Sequence, residues 1–99
     1  MDNAEARGLL EQHLQSWRNR SYAELLSLRD ATQTTELLGA SGTKYQAEVQ
    51  VFWDGRPGGA LRVLASIDDG GLRAFSPLSA DFIKSQDGSF VGESQDPAA

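Results

Sequence analysis

One stretch decides the fold class of this chain: YQAEVQVFW, from Tyr45 to Trp53. Tyr45, Ala47, Val49, Val51 and Trp53 alternate in it with Gln46, Glu48, Gln50 and Phe52. Successive side chains of a β-strand point to opposite faces, so the alternation predicts a long strand with one buried face. A second alternating run, from Leu61 to Ile67, follows a turn-forming stretch and predicts an antiparallel partner strand.

The dipeptide Asp69-Gly70 is the strongest local signal after these two runs. An Asp-Gly pair between alternating runs is typical of a two-residue hairpin with a type I′ turn. A turn centred there places Ile67 opposite Leu72 on the inner face and Leu64 opposite Phe75 on the outer face. Beyond it, residues 79–84 fit either a helical turn or a further extended segment. Asp87-Gly88 predicts another turn.

Before the strands, apolar residues recur at helical spacing in two segments, which predicts two helices. Asp2 or Asn3 can cap the first helix, and an apolar stripe then follows helical spacing. The stripe consists of Leu9, Leu10, His13, Leu14 and Trp17. Ser21-Tyr22-Ala23-Glu24 fits the S-x-x-E capping box and predicts a second, shorter helix. Two helices followed by a three- to four-stranded antiparallel meander predict an α+β roll with the helices packed on one face of the sheet.

The segment WRNRSYAELLSL, from Trp17 to Leu28, resembles the opening of nuclear-transport-factor-like domains. In that family a helix ends in an aromatic residue, a short polar turn follows, and a capped helix with a leucine-rich face begins. The resemblance implies the roll of that family, which is related to the cystatin-like fold. Length and composition predict a single α+β domain over residues 1–92 and a disordered C-terminal tail over residues 93–99.

The charge balance excludes several classes of function. The chain carries 14 acidic and 9 basic residues, a net charge of −5, and its cations do not cluster. We therefore expect no nucleic-acid partner. With no cysteine and one histidine, we expect no metal site, and we expect no cofactor. The acidic start and the lack of a long apolar run favour a cytoplasmic protein that has no membrane association.

A pocket between the helices and the sheet is one candidate site. Its residues would be His13, Trp17, Tyr22, Tyr45 and Trp53. The resemblance implies a conical pocket at this place, and some nuclear-transport-factor-like domains are isomerases or dehydratases that use a carboxylate with a tyrosine. Tyr22, Tyr45 and His13 would then be the polar points of the pocket. The alternative, which the sequence favours, is a filled core, so an enzymatic role stays open but is the less favoured one.

The outer face of the sheet is the other candidate site. Phe52, Leu64 and Phe75 all point away from the first core in the predicted register, and a polar sheet face does not normally gather three such residues. Either the C-terminal segment from Phe82 to Val91 covers them or a second chain does. Dimerisation through this face is common in the resembled family. We therefore expect a homodimer or a partner-binding module, with small-molecule binding in the pocket as the alternative.

Overall fold

The computed structural model describes residues 2–70 and 77–93 of the chain. Two helices come first: α1 over Asn3–Arg18 and α2 over Tyr22–Ser27. The strands that follow are β1 (Thr32–Leu38), β2 (Lys44–Trp53), β3 (Leu61–Asp68) and β4 (Leu78–Lys84). They form one antiparallel sheet in the order β1-β2-β3-β4. The chain therefore has an α+β fold with two helices and a four-stranded meander, as the sequence predicts.

Both predicted helix starts are confirmed by their caps. The Asp2 carboxylate accepts a hydrogen bond from the Glu5 N–H at 3.0 Å, and the Ser21 hydroxyl accepts one from the Glu24 N–H at 3.1 Å. The buried stripe of α1 consists of Ala6, Leu10, Leu14 and Trp17, and it packs on β3 and β4. Leu9 and His13 lie at the border of this stripe and are only half-buried, because the helix turns its Ala6 side to the sheet.

The inner face of the sheet completes the core. Strands β2 and β3 bury every second residue, and these side chains are at most 1% exposed. They are Tyr45, Ala47, Val49 and Val51 on β2, and Leu61, Val63, Ala65 and Ile67 on β3. Trp53 lies opposite Leu61, so β2 and β3 pair antiparallel, as the sequence predicts for this pair of strands.

The predicted register of the last hairpin is wrong. β3 pairs with β4, so Ile67 lies opposite Leu78 and Leu64 lies opposite Asp81. The predicted pairing places Ser76 opposite Val63, whereas the observed pairing places Phe82 there, with 3% of its surface exposed. Burial of a large aromatic side chain favours this longer connection over a two-residue turn. The extended interpretation of residues 79–84 is confirmed. Phe75 and the rest of 71–76 lie outside the described residues, as do 94–99 of the predicted tail.

The end of β4 is tied to the end of α1 by Lys84. This side chain is only 8% exposed, and its ammonium donates hydrogen bonds to the carbonyl oxygens of Arg18 at 3.1 Å and Arg20 at 2.7 Å. The last carbonyls of a helix lack partners within the helix, and its C-terminus carries a partial negative charge. Lys84 therefore satisfies these oxygens and fixes the helix to the sheet.

The chain then turns back beside β4. The predicted turn at Asp87-Gly88 is confirmed: Gly88 has a φ of +89° and its N–H donates to the Ser85 oxygen at 2.9 Å. Phe90 forms an isolated bridge with Lys84, and its ring packs edge-on against Phe82 with 5.7 Å between centroids. Both aromatic rings lie on the helix side of the sheet, so neither of them covers the outer face.

Candidate functional site

The outer face of the sheet carries an apolar cluster. It consists of Phe52, Leu64 and Ile83, which lie on three adjacent strands and are all half-buried; we call them the outer cluster. Phe52 and Ile83 are the two register partners of Arg62, and Leu64 lies two residues further along β3, at the next position on the same face. Diagonal neighbours on a sheet are within reach of large side chains. Two members of this cluster were predicted from sequence. Ile83 was missed because the predicted register places Phe75 opposite Leu64, where the structure has Asp81, and places residues 79–84 beyond the end of β3.

Arg62 stands at the centre of the outer cluster and is held from both sides. Its Nε donates to the Asp54 carboxylate at 2.9 Å, and a second guanidinium nitrogen bonds Asp81 on β4. The hydrogen bond to Asp54 is the main reason that the pKa of Arg62 is raised above its ordinary value. The guanidinium is therefore fixed in one orientation and compensated by two carboxylates, which leaves the apolar side chains around it as the accessible feature.

The opposite end of the outer face is polar and acidic. Glu36, Glu48 and Asp68 point outward from β1, β2 and β3, and Lys44 points outward from the start of β2. Glu36, Gln46 and Asp68 form one cross-strand row. The outer face is thus divided into an apolar end around Arg62 and a negatively charged end. A partner would bury apolar surface at the first end and would encounter carboxylates at the second.

Tyr45, one of the predicted pocket residues, belongs to a closed polar contact at the start of α1. Its hydroxyl donates to the Glu5 carboxylate at 2.8 Å, and the same carboxylate accepts from the Ser41 hydroxyl at 2.7 Å and the Ser41 N–H at 3.0 Å. The hydrogen bonds from Ser41 and Tyr45 lower the pKa of Glu5. The Glu5 contact raises the pKa of Tyr45 to about 12. Both groups are therefore occupied with each other and join α1 to the β1–β2 turn.

His13 lies elsewhere, in a shallow groove between α1 and β1. The groove has a volume of about 220 Å³ and is lined by Leu9, Gln12, His13, Ser16 and Leu37. Burial lowers the pKa of His13, and the charge of Arg20 lowers it further. The lowered pKa favours the neutral imidazole, which can both donate and accept a hydrogen bond.

The remaining aromatic candidates lie at the other end of the molecule. The Tyr22 hydroxyl donates to the Gly59 oxygen at 2.7 Å, and the rings of Trp17 and Trp53 are covered by the guanidinium groups of Arg20 and Arg29. Tyr45 and Trp53 stand eight residues apart on one strand, a span of roughly 27 Å. The five predicted pocket residues therefore do not surround one point.

A groove that the sequence did not predict lies between two loops. It has a volume of about 350 Å³, and its lining includes Arg56, Gly59, Gln86 and Asp87. The side-chain amide of Gln86 bonds the Gly58 oxygen and joins the two loops. Hydrogen bonds from Ser85 and Ser89 lower the pKa of Asp87 to about 2, so its carboxylate is occupied within its own turn. The two glycine-containing turns were recognisable in the sequence, but their proximity depends on the β4 register.

Among residues 2–70 and 77–93, no group of three or more His, Asp or Glu side chains is placed to hold a metal ion. Neither of the two described helices is long and apolar enough to cross a membrane. Comparisons with protein-family models, with curated proteins and with solved structures give no match for this chain. Its function is therefore inferred from the geometry above.

Proposed function

We propose that this protein is a small binding module that forms a homodimer through the outer face of its sheet. The observation that carries the proposal is the outer cluster: Phe52, Leu64 and Ile83 meet on the face turned away from the helices. In the part of the chain that the structure describes, α1 and α2 pack on the other face, and Phe90 follows them. A half-buried apolar cluster with a polar surround is typical of an interaction surface.

The division of the outer face supports self-association over binding of a basic partner. Arg62 is already paired with Asp54 and Asp81, so no unpaired guanidinium is left when a second copy covers the apolar end. The acidic end would stay in solvent in a dimer centred on the outer cluster. The segment from Trp17 to Leu28 supports the same proposal, because domains of the nuclear-transport-factor-like roll that it resembles commonly dimerise through this sheet face.

Sedimentation of the wild type and of Leu64→Glu tests the proposal. The wild type is expected to associate with rising concentration, and Leu64→Glu to lose the face contact, because a carboxylate would have to be buried against apolar side chains. Gln46→Glu is the matched control: it adds the same charge at the acidic end of the outer face, four residues along β2 from Gln50, the register partner of Leu64. A monomeric wild type, or equal loss of association in both variants, would contradict the proposal.

Binding of a small molecule in the His13 groove is the second candidate. It is favoured by a neutral imidazole beside the apolar side chains of Leu9 and Leu37. The volume of about 220 Å³ is below the roughly 300 Å³ at which ligand pockets usually begin, which places this function second. A thermal-shift screen of small metabolites on the wild type and His13→Ala tests it, since a ligand that binds the native state raises the midpoint of unfolding. Midpoint shifts of equal size in both proteins would exclude the His13 groove as the binding site.

A further inference from the structure

The two edges of the sheet are protected differently. At the β4 edge, Pro77 precedes the strand, and the returning chain covers its end, where the Val91 N–H donates to the Ile83 oxygen at 2.9 Å. β1 is the other edge: it pairs only with β2, and no described residue pairs with its second side. Proteins usually block a free edge with proline, charged side chains, a bulge or a very short strand. The seven residues of β1, TQTTELL, pair with β2 in unbroken register and contain no proline or lysine, and Glu36 is the one charged side chain among them.

The direction of the backbone groups along β1 follows from one hydrogen bond. The Gly39 N–H donates to the Thr43 oxygen at 2.8 Å, so the backbone groups of Gly39 point toward β2. The direction alternates along a strand, so the odd-numbered residues of β1 also bond β2. The even-numbered residues present their N–H and C=O to the free side: Thr32, Thr34, Glu36 and Leu38.

We propose that β1 pairs antiparallel with β1 of a second copy of this chain, about a two-fold axis at Thr35. This register places Thr34 opposite Glu36 of the second copy, with the outward backbone groups of both in one hydrogen-bonded pair. Thr35 then faces its own equivalent, a pair that stabilises sheets. Leu38, which is 66% exposed in the single chain, lies beside Thr32 of the second copy and becomes partly covered. The result is a continuous sheet of eight strands.

The side chains select this register over its neighbours. A symmetric pair needs outward-facing residues to meet, so the axis falls at Thr34, Thr35 or Glu36. An axis at either even-numbered residue shortens the ladder, and an axis at Glu36 also sets the two Glu36 carboxylates directly opposite each other, which is unfavourable. Only the axis at Thr35 uses all seven residues and pairs each Glu36 with a threonine hydroxyl that can donate to it.

This contact goes beyond the proposed function and does not depend on it, because β1 contributes no residue to the outer cluster. Two different two-fold contacts on one chain give a closed tetramer or an open chain of copies. The wild type is therefore expected to exceed a dimer at high concentration. Leu64→Glu should stop at the dimer formed by the β1 edge, and a variant with a blocked edge should stop at the dimer formed by the outer cluster.

Amide hydrogen exchange measured by NMR at several concentrations tests the edge contact. In the dimer, the amides of Thr34 and Glu36 should become protected as concentration rises, whereas those of Thr35 and Leu37 are protected at every concentration by β2. Association through the outer cluster alone would leave the Thr34 and Glu36 amides in fast exchange. That result, or a wild-type chain that stays monomeric, would overturn the proposal.

Two kinds of variant complete the test. Thr34→Pro removes an N–H that faces the free side, so it should abolish the edge contact and leave the β1–β2 ladder intact. Should it fail to fold, the pair Thr34→Lys and Thr34→Glu decides, because residue 34 faces Glu36 of the second copy. The lysine variant should dimerise several-fold more tightly than the wild type and the glutamate variant several-fold more weakly. Equal affinity of these two variants would overturn the proposed register.

Discussion

Strand β3 presents two different rows of side chains to the two faces of the sheet. Its inner row is wholly apolar and fully buried: Leu61, Val63, Ala65 and Ile67. Its outer row is half-buried and mixed: Arg62, Leu64, Ser66 and Asp68. The inner row gains its free energy from removal of apolar surface from water, whereas the outer row is held by ion pairs and by neighbours on the same face. We therefore expect inner-face substitutions to change stability and outer-face substitutions to change association.

The largest effect is expected where α1 meets the inner face. Leu10→Ala removes a side chain with 0% of its surface exposed and leaves a cavity. The free energy of unfolding should fall by about 3 kcal/mol, measured by denaturant unfolding of a dilute sample. Leu26→Ala is the matched control, because Leu26 is 37% exposed on α2, and it should cost less than about 1 kcal/mol. Equal losses in the two variants would break the distinction between buried and exposed positions.

A smaller effect is expected from Lys84, whose charge is buried on the helix side of the sheet. Lys84→Met keeps most of the side-chain volume but leaves the Arg18 and Arg20 oxygens without their donor. The free energy of unfolding should fall by about 2 kcal/mol. Lys44→Met, at an exposed position of β2, should change it by less than about 0.5 kcal/mol. An unchanged stability in Lys84→Met would mean that water replaces the ammonium at the end of α1.

Local sequence patterns predicted most of the fold. The S-x-x-E box and the alternation from Tyr45 to Trp53 specify a helix start and a strand through interactions between near neighbours, and both are observed. The register predicted from Asp69-Gly70 was wrong, because a turn dipeptide expresses only a local preference. The pairing of β3 with β4 depends instead on which distant side chain fills the core. Phe82 opposite Val63 outweighs the preference for a tight turn.

The candidate site was harder to predict for the same reason. Phe52 and Leu64 follow from strand alternation alone, but Ile83 joins them only through the β4 register. Lys84 gave no signal in the sequence, since a buried lysine at a helix end depends on two elements 64 residues apart or more. Tyr45 was assigned to a pocket, since nothing in the sequence indicated that its hydroxyl would bind Glu5, 40 residues away. Contacts across such separations cannot be read from spacing.

The smallest effect concerns the polar rim of the inner face, where Glu5 and Tyr45 meet. The pKa of Glu5 is lower in the folded chain than its ordinary value of 4.5, so the stability it contributes is present above that value and is lost as pH falls through the folded pKa. The pKa of Tyr45 is raised from 10.0 to about 12, so its contribution is present below pH 10 and is lost as pH rises toward 12.

Tyr45→Phe should therefore lower the melting temperature at neutral pH, and the difference from the wild type should shrink as the pH falls below 4.5. Tyr22→Phe is the matched control, because its hydroxyl donates to the neutral Gly59 oxygen and its loss should cost the same at every acidic pH. In that variant Tyr45 is the one tyrosine left, so ultraviolet absorbance follows its ionisation directly. Ionisation close to pH 10 would mean that the Glu5 contact does not persist in solution. The contact between Glu5 and Tyr45 would then resemble the exposed ion pairs of the outer face. It would not share the persistence of the buried apolar row on the inner face.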